Sequence, residues 1–243
     1  MKLALFADVH SNLQALEACL EHAATQGAQR LLFLGDLVGY GADPSAVVAR
    51  VRGLGAPCLQ GNHDQAATHG PRGFSPLAAA AMRWTQGALS AEDRAWLDAL
   101  PLLLEEEDRL FVHADASAPA EWRYVEGPAE AQRSLAATEA RLTFCGHTHV
   151  PLLCGLLPSG QVAALRPPMS APVRLEAPGR WLCVMGAVGQ PRDGRPAACY
   201  GLFDTGTNEC TWMRVPYDVA EAASRIRAAG LPEELAARLA VGR

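Results

Sequence analysis

Five of the chain's seven histidines lie in four short motifs, and each motif directly follows an apolar run. Aspartates and an asparagine occur at similar positions, so imidazole nitrogens and carboxylate or amide oxygens are concentrated there. This combination of ligand atoms suits manganese, iron, zinc or nickel rather than copper(I) or an iron-sulfur cluster. The residues are Asp8, His10, Asp36, Asn62, His63, His113, His147 and His149. We expect this set to hold two metal ions.

The hydrophobic pattern indicates the elements that must position these residues. Helices are predicted to begin at Ser11 or Asn12 and at Asp43, where aspartate would be the cap and proline the first helical residue. Because strands and helices alternate, we expect parallel strands in a sheet covered on both faces, with ligands at the carboxyl ends of the strands. The motifs follow the predicted strands 2–7, 30–34, 57–60, 110–112 and 142–145.

Beyond residue 150 the pattern changes to short strand candidates separated by glycine and proline. These indicate a second, largely antiparallel set of strands at 150–156, 162–166, 172–176, 181–185, 197–204 and 209–215. Two final helices, 217–228 and 232–240, are predicted to cover an outer face, since apolar residues recur there at helical spacing. At 243 residues and 49% hydrophobic, the chain can form one domain over 1–243.

Composition excludes several classes of function. The net charge is -5 without a basic cluster, which argues against binding to duplex nucleic acid or to an anionic membrane, while a small nucleotide stays compatible. The apolar N-terminal run is too short for a signal peptide or a membrane span. Seven cysteines without any CxxC pair predict buried thiols and a cytoplasmic location. Oligomeric state stays open.

The ordered motifs resemble those of the calcineurin-like metallophosphoesterase superfamily. They are DVH at 8–10, GD at 35–36 with Gly39 three residues on, GNHD at 61–64, a lone His113, and GHTH at 146–149. The segment 186–204 is similar to one in the small bacterial phosphodiesterase and phosphatase branch. The resemblance implies an α/β fold, namely a four-layer α/β/β/α sandwich of two mixed β-sheets.

The resemblance also implies a dinuclear metal centre. It places one divalent ion at Asp8, His10, Asp36 and His149, and the second at Asp36, Asn62, His113 and His147, with Asp36 bridging the two. Mn(II) is the first expectation, with Fe, Zn and Ni as alternatives. Two such ions, roughly 3.5–4 Å apart, would hold a bridging hydroxide that attacks a phosphodiester or phosphomonoester in line.

Two further residues of the GNHD motif receive catalytic roles. The resemblance implies that His63 is not a metal ligand but faces the leaving-group oxygen, where an imidazolium can donate a proton or stabilise charge. Asp64 follows it directly and either orients His63 or caps the loop.

We expect the substrate to be a small phosphorylated compound, and a nucleotide is compatible with the sequence. The protein serine/threonine phosphatase and diadenosine tetraphosphatase branches of the superfamily carry Asp-Arg-Gly after GD. This chain has VGYG at 38–41 instead, which argues against membership of either branch. A carboxylate at Asp115 would favour a diester over a dianionic monoester. Arg192 is a candidate phosphate contact, with a salt bridge to Asp193 as the alternative, and Tyr40 is a candidate for the pocket wall.

The stretch 114–128 has two interpretations. Trp122, Arg123 and Tyr124 could stack on a base and contact a phosphate, or the stretch could be a surface loop that packs one tryptophan on the core.

Three other functions are weighed against a phosphodiesterase. A non-catalytic metal-binding scaffold of the same fold is disfavoured because His63 is retained. A nuclease is disfavoured because the chain is acidic and shows no basic strip for a polymer. A protein or nucleotide phosphomonoesterase remains an alternative.

Overall fold

The computed structural model describes residues 1–243, with eleven strands and eight α-helices. The strands are β1 (Lys2–Phe6), β2 (Arg30–Phe33), β3 (Leu103–Glu106), β4 (Arg109–Val112), β5 (Leu142–Cys145), β6 (Leu152–Leu156), β7 (Val162–Leu165), β8 (Val173–Arg174), β9 (Trp181–Val184), β10 (Ala198–Asp204) and β11 (Glu209–Val215). The helices are α1 (Leu13–Thr25), α2 (Pro44–Leu54), α3 (Asn62–His69), α4 (Pro76–Ala88), α5 (Ala91–Asp98), α6 (Pro128–Ala136), α7 (Val219–Ala228) and α8 (Glu233–Val241). No helix is both long enough and apolar enough to cross a membrane.

These strands form two mixed sheets flanked by helices, as expected for this α/β class. The five-stranded sheet has the order β2-β1-β10-β11-β8, and the six-stranded sheet has the order β3-β4-β5-β9-β6-β7. β1 pairs in parallel with β2 and antiparallel with β10. β5 lies between β4 and β9 and is parallel to both.

Alternation along β1 shows how the two sheets pack. Leu3 and Leu5 belong to a buried cluster that includes Phe111 and Phe144 of the six-stranded sheet. Ala4 and Phe6 point the other way, into a cluster with α1 and α2. Since successive side chains of a strand face opposite sides, β1 is buried on both faces. A third cluster joins the six-stranded sheet to α6.

The strands after residue 150 pair antiparallel with one another, as expected, but they are divided between the two sheets instead of forming a set of their own. β6, β7 and β9 complete the six-stranded sheet, while β8, β10 and β11 complete the five-stranded one. Strand order is a long-range property, so local spacing of glycine and proline could not assign each strand to its sheet.

Other local expectations need correction. The stretch 57–60 forms only one parallel bridge, between Phe33 and Cys58. Asp43 precedes α2 but makes no capping hydrogen bond, because its carboxylate binds Arg225 instead. Asn12 caps α1 as predicted, with its side chain accepting from the Ala15 amide at 3.1 Å.

Candidate metal centre

The motif residues converge from strand ends of both sheets. Asp8 and Asp36 follow β1 and β2, while His113 and His147 follow β4 and β5. Five candidate ligands adopt positive φ, a conformation uncommon for residues other than glycine. They are Asp8 (56°), His10 (49°), Asp36 (56°), His147 (66°) and His149 (61°). Such a concentration of strained backbone is typical of a functional site.

The first cluster contains the side chains of Asp8, His10, Asp36 and His149. Their ligand atoms all lie within 4.8 Å of one another, and all four residues are buried. Nε2 of His10 lies 3.0 Å from Nε2 of His149 and 3.6 Å from Oδ2 of Asp36. This set equals the first ligand group implied by the sequence resemblance.

The second cluster contains Asp36, His113 and His147, whose ligand atoms also lie within 4.8 Å of one another. Nε2 of His113 is 3.5 Å from Oδ2 of Asp36. Asn62 begins α3, and its Oδ1 is buried without a hydrogen-bond partner, as are Nε2 of His113 and Nε2 of His147. Buried polar atoms are normally satisfied, so these three orphaned atoms fit a cation that they would ligate.

Backbone carbonyls fix the tautomers of three candidate ligand histidines. Nδ1 of His10 donates to the Val38 carbonyl at 3.0 Å, and Nδ1 of His113 donates to that of Leu34 at 2.7 Å. Nδ1 of His149 donates to the Gln190 carbonyl at 2.7 Å. These bonds leave each Nε2 as the ligand atom, an arrangement typical of metal-binding histidines.

The electrostatics favour a cation. Burial lowers the pKa of His147 to about 3 and those of His10 and His149 well below the usual value, so these rings are neutral. Burial raises the pKa of Asp8 to about 7, and the nearby Asp36 carboxylate also raises it. Burial opposes the ionisation of Asp36 too, but His113 beside it holds its pKa well below the usual range. Burial opposes the charge of His113, but the adjacent Asp36 carboxylate raises its pKa to about 9, so this ring is charged. A divalent ion would stabilise the two buried carboxylates and would take the place of the His113 proton.

Asp64 does not contact the His63 ring. Its carboxylate accepts from the backbone amides of Asp36, Leu37, Val38 and Gly61, at 2.8, 2.9, 3.3 and 3.0 Å respectively. Asp64 therefore caps the loop, which is one of its two predicted roles, and it does not orient His63. Gly61 is required there, since a Cβ would lie 2.2 Å from Oδ1 of Asp36.

His63 lies beside the metal cluster but outside both ligand groups. Its ring packs at 4.7 Å from that of His10, 4.6 Å from Tyr40 and 4.7 Å from Phe74, measured between ring centroids. Its Nδ1 is buried without a partner. Burial, reinforced by Arg192, lowers the pKa of His63 to about 4. The ring is therefore neutral.

A cavity of about 930 Å³ opens next to His63, Asn62 and His147. Arg192 and Tyr40 both line it, with the guanidinium 5.6 Å from the centroid of the tyrosine ring. Nη2 of Arg192 donates to Oε1 of Gln190 at 3.0 Å. The alternative salt bridge from Arg192 to Asp193 is not formed, because Asp193 binds Arg214.

The stretch 114–128 agrees in part with each of its two interpretations, because its aromatic residues reach the cavity and its arginine does not. Trp122 and Tyr124 line the cavity, and Tyr124 stacks on His147 with ring centroids 4.1 Å apart. Arg123 instead pairs with Glu121. Asp115 is fully buried, and Arg133 binds its carboxylate. Its charge is thus compensated, which removes the argument that it disfavours a phosphomonoester.

Several residues of the cavity were missed by sequence reasoning. They are Arg72 and Phe74 before α4, and Arg238 and Arg243 at the end of the chain. No motif marks them. Only contacts between segments distant in sequence bring them to the metal cluster.

Two mixed sheets with an Asp/His cluster at their strand ends define the class of metallophosphoesterases, and comparison with known proteins gives the family. The calcineurin-like phosphoesterase superfamily domain matches residues 1–208. The chain therefore belongs to this superfamily. Together with the buried clusters, membership fits a metal-dependent phosphoesterase, which is a hydrolase.

Individual relatives extend over the full chain. The crystal structure of a metallophosphoesterase from Sphaerobacter thermophilus is 36% identical, covers 100% of both chains and gives a TM-score of 0.89. An uncharacterized protein of Methanocaldococcus jannaschii is 34% identical over 99% of this chain and 98% of its own length. A hypothetical protein from Pyrococcus horikoshii is 20% identical, covers 100% of this chain and 98% of its own, and shares the fold with a TM-score of 0.80.

Proposed function

We propose that this protein is a dinuclear metal-dependent phosphoesterase that hydrolyses a small phosphodiester, in preference to a phosphomonoester. The observation that carries the proposal is the pair of buried Asp/His clusters that share Asp36 and adjoin one large cavity. Both clusters offer nitrogen and oxygen atoms to a metal ion, and backbone carbonyls hold the rings of His10, His113 and His149 in place.

The residues divide into two ligand groups. Asp8, His10, Asp36 and His149 would hold one ion, and Asp36, Asn62, His113 and His147 would hold the other. Mn(II) is the proposed ion, with Fe, Zn and Ni as alternatives for the same donor set. When bound, such ions supply a nucleophile at neutral pH by lowering the pKa of water, and they offset the charge of phosphate oxygens.

His63 would act on the leaving group. It is free of the ligand groups, borders the cavity and packs against Tyr40 and Phe74. Since its pKa is lowered to about 4, the neutral ring would donate a hydrogen bond to the leaving-group oxygen. Full protonation would require the negative charge of a bound substrate. Asp64 would support this chemistry indirectly, as a positioning residue for the Asp36 loop.

Arg192 and Tyr40 would bind the substrate. Nε and Nη2 of Arg192 both donate to Oε1 of Gln190, and the guanidinium packs over Tyr40, so its Nη1 edge would bind a phosphate oxygen. The diester is proposed because the cavity of about 930 Å³ beside the clusters has room for both organic groups of a diester.

Three broader assignments complete the proposal. We place the chain in the small phosphodiesterase and phosphatase branch on the strength of its 186–204 segment. Residues 1–243 would form one domain, since β10 (Ala198–Asp204) lies at the centre of the five-stranded sheet beside β1. The location would be cytoplasmic, as all seven cysteines are buried free thiols.

A metal-reconstitution assay tests this function. Protein treated with chelator and then loaded with Mn(II), Ni(II), Zn(II) or Mg(II) would be assayed with p-nitrophenyl phosphate and bis-p-nitrophenyl phosphate. We expect metal-dependent turnover with a preference for the diester. His63→Ala should lower kcat by about 10²–10⁴-fold, the usual contribution of a positioned acid or base.

His69→Ala is the matched control, because His69 lies at the other end of α3 and pairs with Asp98. It should retain full turnover. Metal binding without turnover of either compound would contradict the proposal and favour the non-catalytic scaffold, and a preference for the monoester would favour a phosphomonoesterase.

A further inference from the structure

The C-terminal helix forms one wall of the cavity. α8 (Glu233–Val241) lies outside residues 1–208, the part that matches the superfamily domain. Leu235 and Leu239 bury it in a cluster with Ile226 of α7. The Gly194 amide donates to the Gly242 carbonyl at 2.9 Å, which ties the end of the chain to the loop that carries Arg192. The wall is thus a built part of the site.

Arginines outnumber carboxylates around this cavity, whose acidic residues are Glu121, which pairs with Arg123, and Glu234. Arg72, Arg238 and Arg243 all line the cavity, and none of the three forms a salt bridge. In contrast, Arg225 and Arg227 of the neighbouring α7 are paired with carboxylates. Unpaired guanidinium groups that share one cavity form a site for an anion, and they do so here in a chain of net charge -5.

Aromatic rings line the same cavity and contact histidines of the site, Phe74 packing on His63 and Tyr124 on His147. Phe74, Trp122 and Tyr124 line the same cavity, and Tyr124 is 47% exposed although it stacks on His147. Exposed rings at the wall of a cavity offer faces on which a planar ring can stack.

We propose that Arg72, Arg238 and Arg243 form a subsite for a second phosphate group of the substrate. The substrate is then a nucleotide-like phosphoester, with one phosphate at the metal centre, an aromatic base against the rings, and a second phosphate at the C-terminal wall. This inference rests on the proposed phosphoesterase function and deepens it by naming the class of substrate.

Ligand binding tests the subsite separately from catalysis. Calorimetric titration of metal-loaded His63→Ala protein, in which turnover is slow, would compare adenosine 5′-monophosphate with two nucleotides that carry a second phosphate, adenosine 5′-diphosphate and adenosine 3′,5′-bisphosphate. We expect at least one of the latter to bind at least 10-fold more tightly than the monophosphate. In the same background, the double variant Arg238→Gln, Arg243→Gln should lose this gain, and so should Arg72→Gln, which changes a different element.

Arg83→Gln is the matched control, since Arg83 is an exposed arginine of α4 outside the cavity. It should keep the full gain. Equal affinities for all three nucleotides in His63→Ala protein, or a gain that survives the double variant, would overturn the subsite. Failure of the proposed function would appear differently, as absence of metal-dependent turnover of the chromogenic esters while the gain in nucleotide affinity persists.

Discussion

The carboxylate of Asp64 accepts the backbone N–H of Asp36 at 2.8 Å and so holds in place the residue that both ligand groups share. Asp36 itself has a φ of 56°, and its Oδ1 accepts the His63 amide at 2.8 Å. The GD motif at 35–36 and the GNHD motif at 61–64 are therefore joined by two hydrogen bonds, one from each backbone to a side chain of the other. The position of the shared ligand depends on a side chain that ligates nothing.

Replacing Asp64 should weaken metal binding without removing a ligand. In Asp64→Asn, the new amide NH₂ would face backbone N–H groups and leave at least one buried donor unpaired, at a cost of about 1–3 kcal/mol of unfolding free energy. Metal affinity should fall about 10–100-fold, as for other residues that orient ligands. Urea denaturation and metal titration measure the two effects.

Asp93→Asn is the control, because Asp93 makes a similar capping contact with Ser90 on the exposed helix α5. It should leave metal affinity unchanged. An unaltered metal affinity in Asp64→Asn would show that the Asp36 loop holds its shape without this carboxylate.

Metal content should depend on which ligand group is changed. His10→Ala removes a ligand from the first cluster alone, so about one ion per chain should remain, as a consequence of the two-ion proposal. Asp36→Ala removes the residue common to both clusters, so much less than one ion per chain should remain. Elemental analysis after dialysis gives the ratio, with His22→Ala as the control. Equal losses in His10→Ala and Asp36→Ala would contradict two separate ligand groups.

Metal binding should stabilise the fold, because the ligands come together only in the folded chain. Mn(II) at 100 times its Kd should add about 2.7 kcal/mol to the unfolding free energy, and chelator should remove this gain. Differential scanning calorimetry with and without metal measures the shift in Tm. His113→Ala should show a smaller shift, and a full shift in that variant would exclude His113 as a ligand.

Gly39→Ala should disable His63 without changing a ligand. Gly39 has a φ of 90°, and a Cβ there would lie 2.3 Å from Nδ1 of His63. The histidine must move, so kcat should fall towards that of His63→Ala while metal content stays unchanged. Gly53→Ala is the control: nothing lies within 4 Å of its Cβ position in α2, and the helix should gain about 0.5–1 kcal/mol.

Much of the candidate site was predictable because most of its residues lie within a few positions of a buried strand, Asn62 at the start of α3 being the exception. Asp8 and His10 follow β1, and His147 and His149 follow β5, so the apolar runs and the strand-end rule were enough to bring them together. The roles of Asp64 and Asp115 were less accessible. Their partners, the Asp36 amide and Arg133, are set by long-range packing that residue type does not encode.

The sequence by itself determined the ligand types, their order and the end of the strand at which each lies, because these depend on local hydrophobic period and turn residues. Only the tertiary structure decided which sheet each late strand joins, with β10 beside β1 and β9 beside β5. It also brought Arg238 and Arg243 to the same cavity as Arg72. These relationships are contacts between distant segments, fixed by the packing of sheets and helices as a whole.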